Sequence, residues 1–130
     1  MNNTDPDNSG ATPVVNFDQL QSACDGDAGV MRELLDLYFQ QADQIMAGLE
    51  KAINGNAVGD VNHLAHKLAG SSLAVGMSAV VPSLRRLEGG AQAGHLIGAH
   101  ESLADVSAKM KLVRRHVEDY LLRFPGQKRD

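Results

Sequence analysis

Cysteine is nearly missing from this chain: Cys24 stands alone among 130 residues. That excludes an intramolecular disulfide and a cysteine-rich zinc site within one chain. Tryptophan is absent, and two Tyr and three Phe bring the aromatics to only 4%. The apolar share of 43% rests instead on Leu, Ala, Val and Met, a mixture that suits helix packing better than a β-sandwich. No apolar run approaches the roughly 20 residues needed to span a bilayer. The opening stretch M-N-N-T-D-P-D-N-S-G-A-T-P lacks the basic start and apolar segment of a secretory signal. A soluble, cytoplasmic protein is expected. Positive charge is in deficit, with 12 Lys and Arg against 16 Asp and Glu and a net charge of −4. General nucleic-acid binding calls for a clustered basic surface and is not expected. Neither a G-x-x-x-x-G-K-[ST] loop nor a kinase-type glycine loop is present to hold a nucleotide. Self-phosphorylation is therefore not expected.

At this length the chain is one domain's worth. Residues 1–15 are rich in Asn, Asp, Ser, Gly and Pro and read as a disordered tail, residues 16–125 as the folded domain, and 126–130 as a C-terminal tail. Phe17, Leu20 and Ala23/Cys24 recur at helical spacing, with Asn16 or Asp18 as the cap, and Asp25-Gly26-Asp27 breaks this short helix. From Ala28 the longest periodic run carries Met31, Leu34/Leu35, Tyr38, Ala42, Ile45/Met46, Leu49 and Ile53 at spacings of three and four. Asn54-Gly55-Asn56 stops it in residues that accept the left-handed conformation. A helix from Ala57 to Val75 follows, with Asp60 as its expected cap and Gly76 as its close. The next runs from Ala79 to Glu88, with Ser78 as cap, Pro82 in the first turn, Val81, Leu84 and Leu87 inward, and Gly89-Gly90 as its end. The last starts near Ala91 or His95 and keeps His100, Leu103, Met110, Val113, Val117, Tyr120/Leu121 and Phe124 in register. No strand pattern of convincing length interrupts this. The expectation is all-α: an antiparallel four-helix bundle with a short extra N-terminal helix, since short connections make neighbouring helices run in opposite directions.

The chemistry concentrates between Val61 and Gly76, in V-N-H-L-A-H-K-L-A-G-S-S-L-A-V-G. At about 100° per residue, Val61, Leu64, Leu68, Ser72 and Val75 fall on one side. Asn62, His63, His66, Ala69, Gly70 and Leu73 fall on the other. A solvated face would carry Glu, Lys and Gln; this one carries an imidazole among small and apolar residues. A helix-borne imidazole that faces outward is an accessible nucleophile. Neutral imidazole has one nitrogen free to attack and an unperturbed pKa of about 6.5. In the bundle, the end of the Ala79–Glu88 helix returns toward the middle of the preceding one. Glu88 is thereby expected near His66, where a carboxylate would fix the ring tautomer and disperse the charge that grows during attack. His63 and His66 amount to half a metal site, and no acid or thiol at ligand spacing completes it. No metal site is expected. His95, His100 and His116 read as surface or packing residues.

His66, Leu68, Gly70, Ser71, Ser72 and Gly76, followed by Leu84, Leu87 and Glu88, resemble the signature of histidine-containing phosphotransfer (HPt) domains, A-H-x-L-K-G-S-S, a glycine, then L-E on the next helix. Upstream, Phe17–Leu20, Asp25–Asp27 and the run Leu34, Leu35, Tyr38, Phe39 resemble the lead-in helices of such domains, so the likeness covers roughly residues 16 to 124. It implies a cytoplasmic phosphorelay intermediate in which His66 takes a phosphoryl group from a receiver-domain aspartyl phosphate and passes it to another receiver. The implied partners are response-regulator receiver domains or a hybrid histidine kinase. The implied magnesium is the receiver's, so no cofactor is expected in this chain, and a monomer is the simplest expectation. Gly70 would let the receiver's loops come close; Asn62, His63, Ala69 and Leu73 would form the docking patch. The family lysine three residues after the histidine is Ala69 here, and the nearest cation in sequence is Lys67. That departure predicts transfer that is retained but slower, or a phosphorylated form that is less stabilised, than in a variant with lysine at 69. Arg85 and Arg86 read as solvating their helix, with one of them available to face an acidic receiver surface. The rival readings are an HPt-like adaptor that docks on a receiver or kinase without efficient transfer, and a structural helical bundle with no signalling role.

Overall fold

The computed structural model describes residues 12–123. Five α-helices account for most of that span: α1 (Phe17–Ala23), α2 (Ala28–Asn54), α3 (Val58–Ala74), α4 (Val81–Gln92) and α5 (Ala99–Leu122). Among the described residues there is no strand. α2, α3, α4 and α5 form the bundle and α1 caps one end, packing against α2 and α3. No helix among the described residues is long and apolar enough to cross a membrane.

Local chemistry sets most boundaries. Asn16 caps α1, its Oδ1 accepting from Gln19 N at 3.1 Å, and Asp27 caps α2 by accepting from Val30 N at 3.0 Å. Each satisfies an N–H that has no partner inside the helix. α2 buries Met31, Leu35, Tyr38, Ala42, Ile45, Leu49, Ala52 and Ile53, the stripe its periodicity predicts. Asn56, with φ 54°, takes the left-handed step after it, whereas Gly55 stays at φ −89°. Cys24 lies buried in the core.

Four boundaries differ from the sequence-based expectation. Ala57, not Asp60, is the N-cap of α3 and offers no side-chain bond; Asp60 lies in the first turn, where its charge still suits the dipole. Ser78 opens a 3₁₀ turn, Ser78–Val80, and does not cap α4, which starts at Val81 with Pro82 in its first turn. α4 runs through Gly89-Gly90 to Gln92. Glycine lowers helix propensity without forbidding the helix, and burial of Ala91 holds the extra turn against the core. The chain then reverses at Gly94, φ 87°, so α5 begins only at Ala99. Its inward residues are Ala99, Val106, Met110, Val113 and Val117, and His100 faces solvent.

The N-terminal tail also ends earlier than its composition suggests. Val15 is buried, and Val14 O accepts from Ala79 N at 3.1 Å. Beside it, Asn16 N donates to Gly76 O at 2.7 Å. Gly76 has φ 83°, and a Cβ there would lie 2.3 Å from Asn16 O, so both backbone conformation and close crossing require glycine. Residues 1–11 and Phe124, with the C-terminal tail, lie outside the described residues.

Two polar contacts, one buried and one part-buried, tie helices together. The Tyr38 hydroxyl on α2 and Ser72 Oγ on α3 are 2.7 Å apart, and burial pushes the Tyr38 phenol up to about 12. Ser83 on α4 donates to Asp105 on α5, which also accepts from Lys109 Nζ at 3.0 Å. The Ser83 hydroxyl and then the Lys109 ammonium hold the Asp105 carboxyl below the usual carboxylate range.

Candidate phosphoacceptor site

α3 buries Val61, Ala65, Leu68, Ala69 and Ser72. On a helical wheel the centre of that arc lies about 115° from His66, on the side of Ala65 and Ala69. His66 therefore sits at the edge of the packed face, with a side chain 68% exposed. At that edge it can lean on α4 and still reach solvent.

It leans on Glu88. His66 Nδ1 and Glu88 Oε2 are 2.6 Å apart, as the bundle arrangement predicts. The Glu88 side chain is only 12% exposed, and its second oxygen, Oε1, accepts from Arg85 Nη1 at 2.8 Å. The Arg85 guanidinium, with help from the imidazole, holds the Glu88 carboxyl below the usual carboxylate range against the opposing effect of burial. An ionised carboxylate only accepts, so the proton in the 2.6 Å contact belongs to Nδ1. In the neutral ring that leaves the lone pair on Nε2. The site thus combines a fixed tautomer, a carboxylate that can share a growing positive charge, and an accessible ring.

The remaining expected site residues divide. Gly70 is exposed, and a Cβ built on it would meet nothing within 4 Å; no internal packing demands glycine there. Leu73 is half exposed, His63 and Lys67 are exposed, and Asn62 is half-buried. These flank His66 on the open side of α3. Ala69 does not join them. It is fully buried in the core, which removes it from the docking patch and leaves no room for a lysine there without disturbing the packing. A wheel centred on the longest apolar residues misses this, because Ala65 and Ala69 widen the buried arc beyond the stripe of Leu and Val.

Arg85 is a site residue that the sequence places at solvent or toward a receiver, not on Glu88. The available signal was its spacing: Arg85 and Glu88 lie three apart on one helix, neighbours on its surface. Arg86 serves a different cluster, donating to Ser83 Oγ at 2.6 Å. Among the described residues no group of three or more His, Cys, Asp or Glu side chains could hold a metal ion.

The Hpt domain family model matches residues 33–121, which contain His66, Glu88 and the whole of α3 and α4. The chain belongs to the Hpt domain family. The structure of the histidine-containing phosphotransfer protein MtHPt2 from Medicago truncatula superposes on this Hpt domain with a TM-score of 0.73. Sequence identity is 19%, over 88% of this chain and 80% of that one. At that identity the likeness concerns the fold, an all-α bundle common to both. Comparison with curated proteins gives no match. Family membership gives the chain a place in histidine phosphotransfer; the geometry at His66 bears on how an Hpt domain of this sequence would carry it out.

Proposed function

We propose that this Hpt domain is a phosphorelay intermediate that accepts a phosphoryl group on Nε2 of His66 from the aspartyl phosphate of one receiver domain and passes it to another. The observation that carries the reading is the His66–Glu88 contact, with one ring nitrogen bound to a buried carboxylate and the other left free on an exposed ring. In the forward step the Nε2 lone pair forms a bond to phosphorus. The bond from phosphorus to the aspartyl oxygen breaks, and its electron pair leaves with the receiver's carboxylate. Nδ1 keeps its hydrogen, so the ring becomes cationic and Glu88 offsets that charge. Transfer onward is the reverse step toward a second aspartate.

Phosphoryl transfer is chiefly a matter of positioning and charge neutralisation. This chain would supply position, on a helix packed into the core. Magnesium would belong to the receiver's acidic pocket. The chain would act as a cytoplasmic relay without kinase activity of its own, and Gly70, Leu73, His63 and Asn62 would form the surface on which the receiver docks, with Lys67 at its margin.

The relay step is tested by isolating the phosphorylated protein and mixing it with unphosphorylated receiver domains and magnesium. Loss of label from the Hpt domain with matching gain on a receiver is expected. A protein that binds receivers but neither takes nor returns phosphate is the adaptor instead.

A further inference from the structure

We infer that Arg85 is a positioning residue for His66, acting through Glu88. This rests on the reading of His66 as phosphoacceptor. The observation is the unbroken sequence of contacts, Arg85 Nη1 to Glu88 Oε1 at 2.8 Å and Glu88 Oε2 to His66 Nδ1 at 2.6 Å.

The physical role follows from the carboxylate geometry. A glutamate with one oxygen unpartnered can rotate about its last bond and present either oxygen to the ring. With Oε1 held by a guanidinium, the carboxylate plane is fixed and Oε2 stays on Nδ1. The guanidinium also lowers the basicity of Glu88, so Glu88 accepts a hydrogen bond from Nδ1–H without removing the proton as the ring turns cationic. Keeping that proton on the ring keeps the phosphoimidazole cationic and the P–N bond easy to break, which a relay needs for its second step. Arg85 is itself 43% exposed at its side chain, so its removal leaves no cavity in the core.

The test uses the whole chain, with phosphoramidate as a donor that requires no receiver: Nε2 bonds to phosphorus, and the P–N bond of the donor breaks to release ammonia. The variants are Arg85→Ala, Arg85→Lys, Glu88→Gln and the Arg85→Ala/Glu88→Gln pair, with ¹⁵N NMR of the His66 ring as a second readout. Arg85→Ala is expected to slow phosphorylation about tenfold and to move the ring from a single Nδ1–H tautomer toward a mixture. Arg85→Lys restores most of both, and Arg85→Ala has no further effect once Glu88 is Gln. An unchanged ring spectrum in Arg85→Ala would overturn the inference. So would a full additional loss on the Glu88→Gln background, which would mean that Arg85 meets the donor directly. If wild type takes no phosphate from any receiver while the ring spectrum still responds to Arg85→Ala, the positioning role stands and the relay reading falls.

Discussion

Gly70→Ala separates the needs of the fold from the needs of the site, because its effects on the two have opposite signs. Gly70 lies inside α3, is exposed, and has open space where a Cβ would go. Alanine is better than glycine in a helix interior by about 0.8–1 kcal/mol, partly because glycine leaves the unfolded chain more freedom to lose. With nothing to collide with, that gain is realised in full. For a domain of this size about 1 kcal/mol corresponds to a rise in Tm of about 3–5 °C. The same methyl group projects about 40° round the helix from His66 and one turn beyond it, into the space that a receiver's active-site loops would enter on the proposed reading. Reacting atoms have to come within about 3–3.5 Å of each other, and displacement by an ångström can cost about a hundredfold in rate. Transfer from a phosphorylated receiver should fall at least about tenfold, while labelling by phosphoramidate, a much smaller donor, changes little. Thermal melts and time courses of label on wild type and variant measure both. A Tm rise with unimpaired transfer from receivers would refute the close-approach argument, and a fall in Tm would refute the packing argument.

Two further predictions concern the bundle itself. Burial pushes the folded Tyr38 phenol up to about 12 from an ordinary 10.0, so between those values the unfolded chain loses its proton first and stability falls as pH rises. The loss should reach about 2–3 kcal/mol in urea titrations across that range, and Tyr38→Phe should flatten this slope while costing about 1–2 kcal/mol at neutral pH through the orphaned Ser72 hydroxyl. Gly76→Ala combines a left-handed backbone with a Cβ 2.3 Å from Asn16 O and should cost about 3 kcal/mol or more; a denaturant midpoint near that of wild type would show that the N-terminal crossing yields easily.

Much of this was legible in the sequence, for identifiable reasons. The stripe on α2 is long, strictly periodic and capped at Asp27, so its helix and its buried face follow from spacing alone. The proximity of Glu88 to His66 follows from short connections, which leave one way for α3 and α4 to lie side by side. Less legible were positions where small residues decide. Ala69 reads as surface beside Gly70 and Leu73, yet it is buried because Ala65, Ala69 and Ser72 extend the packed face past the large residues. Gly89-Gly90 reads as a stop, yet Ala91 anchors another turn. The spacing of Arg85 three residues before Glu88 points to their ion pair, but its link to His66 runs through that carboxylate and shows only once α4 is placed against α3. Tertiary packing decided each of these, and local propensity did not.

The most direct test of the central claim is incubation of wild type and His66→Gln with a panel of phosphorylated receiver domains and magnesium, following acid-labile, alkali-stable phosphate on the Hpt domain. The account predicts label on wild type, none on His66→Gln, and the same melting temperature for both within about 2 °C, since the ring is largely exposed. Label that persists on His66→Gln, or wild type that binds receivers without acquiring any, would contradict it.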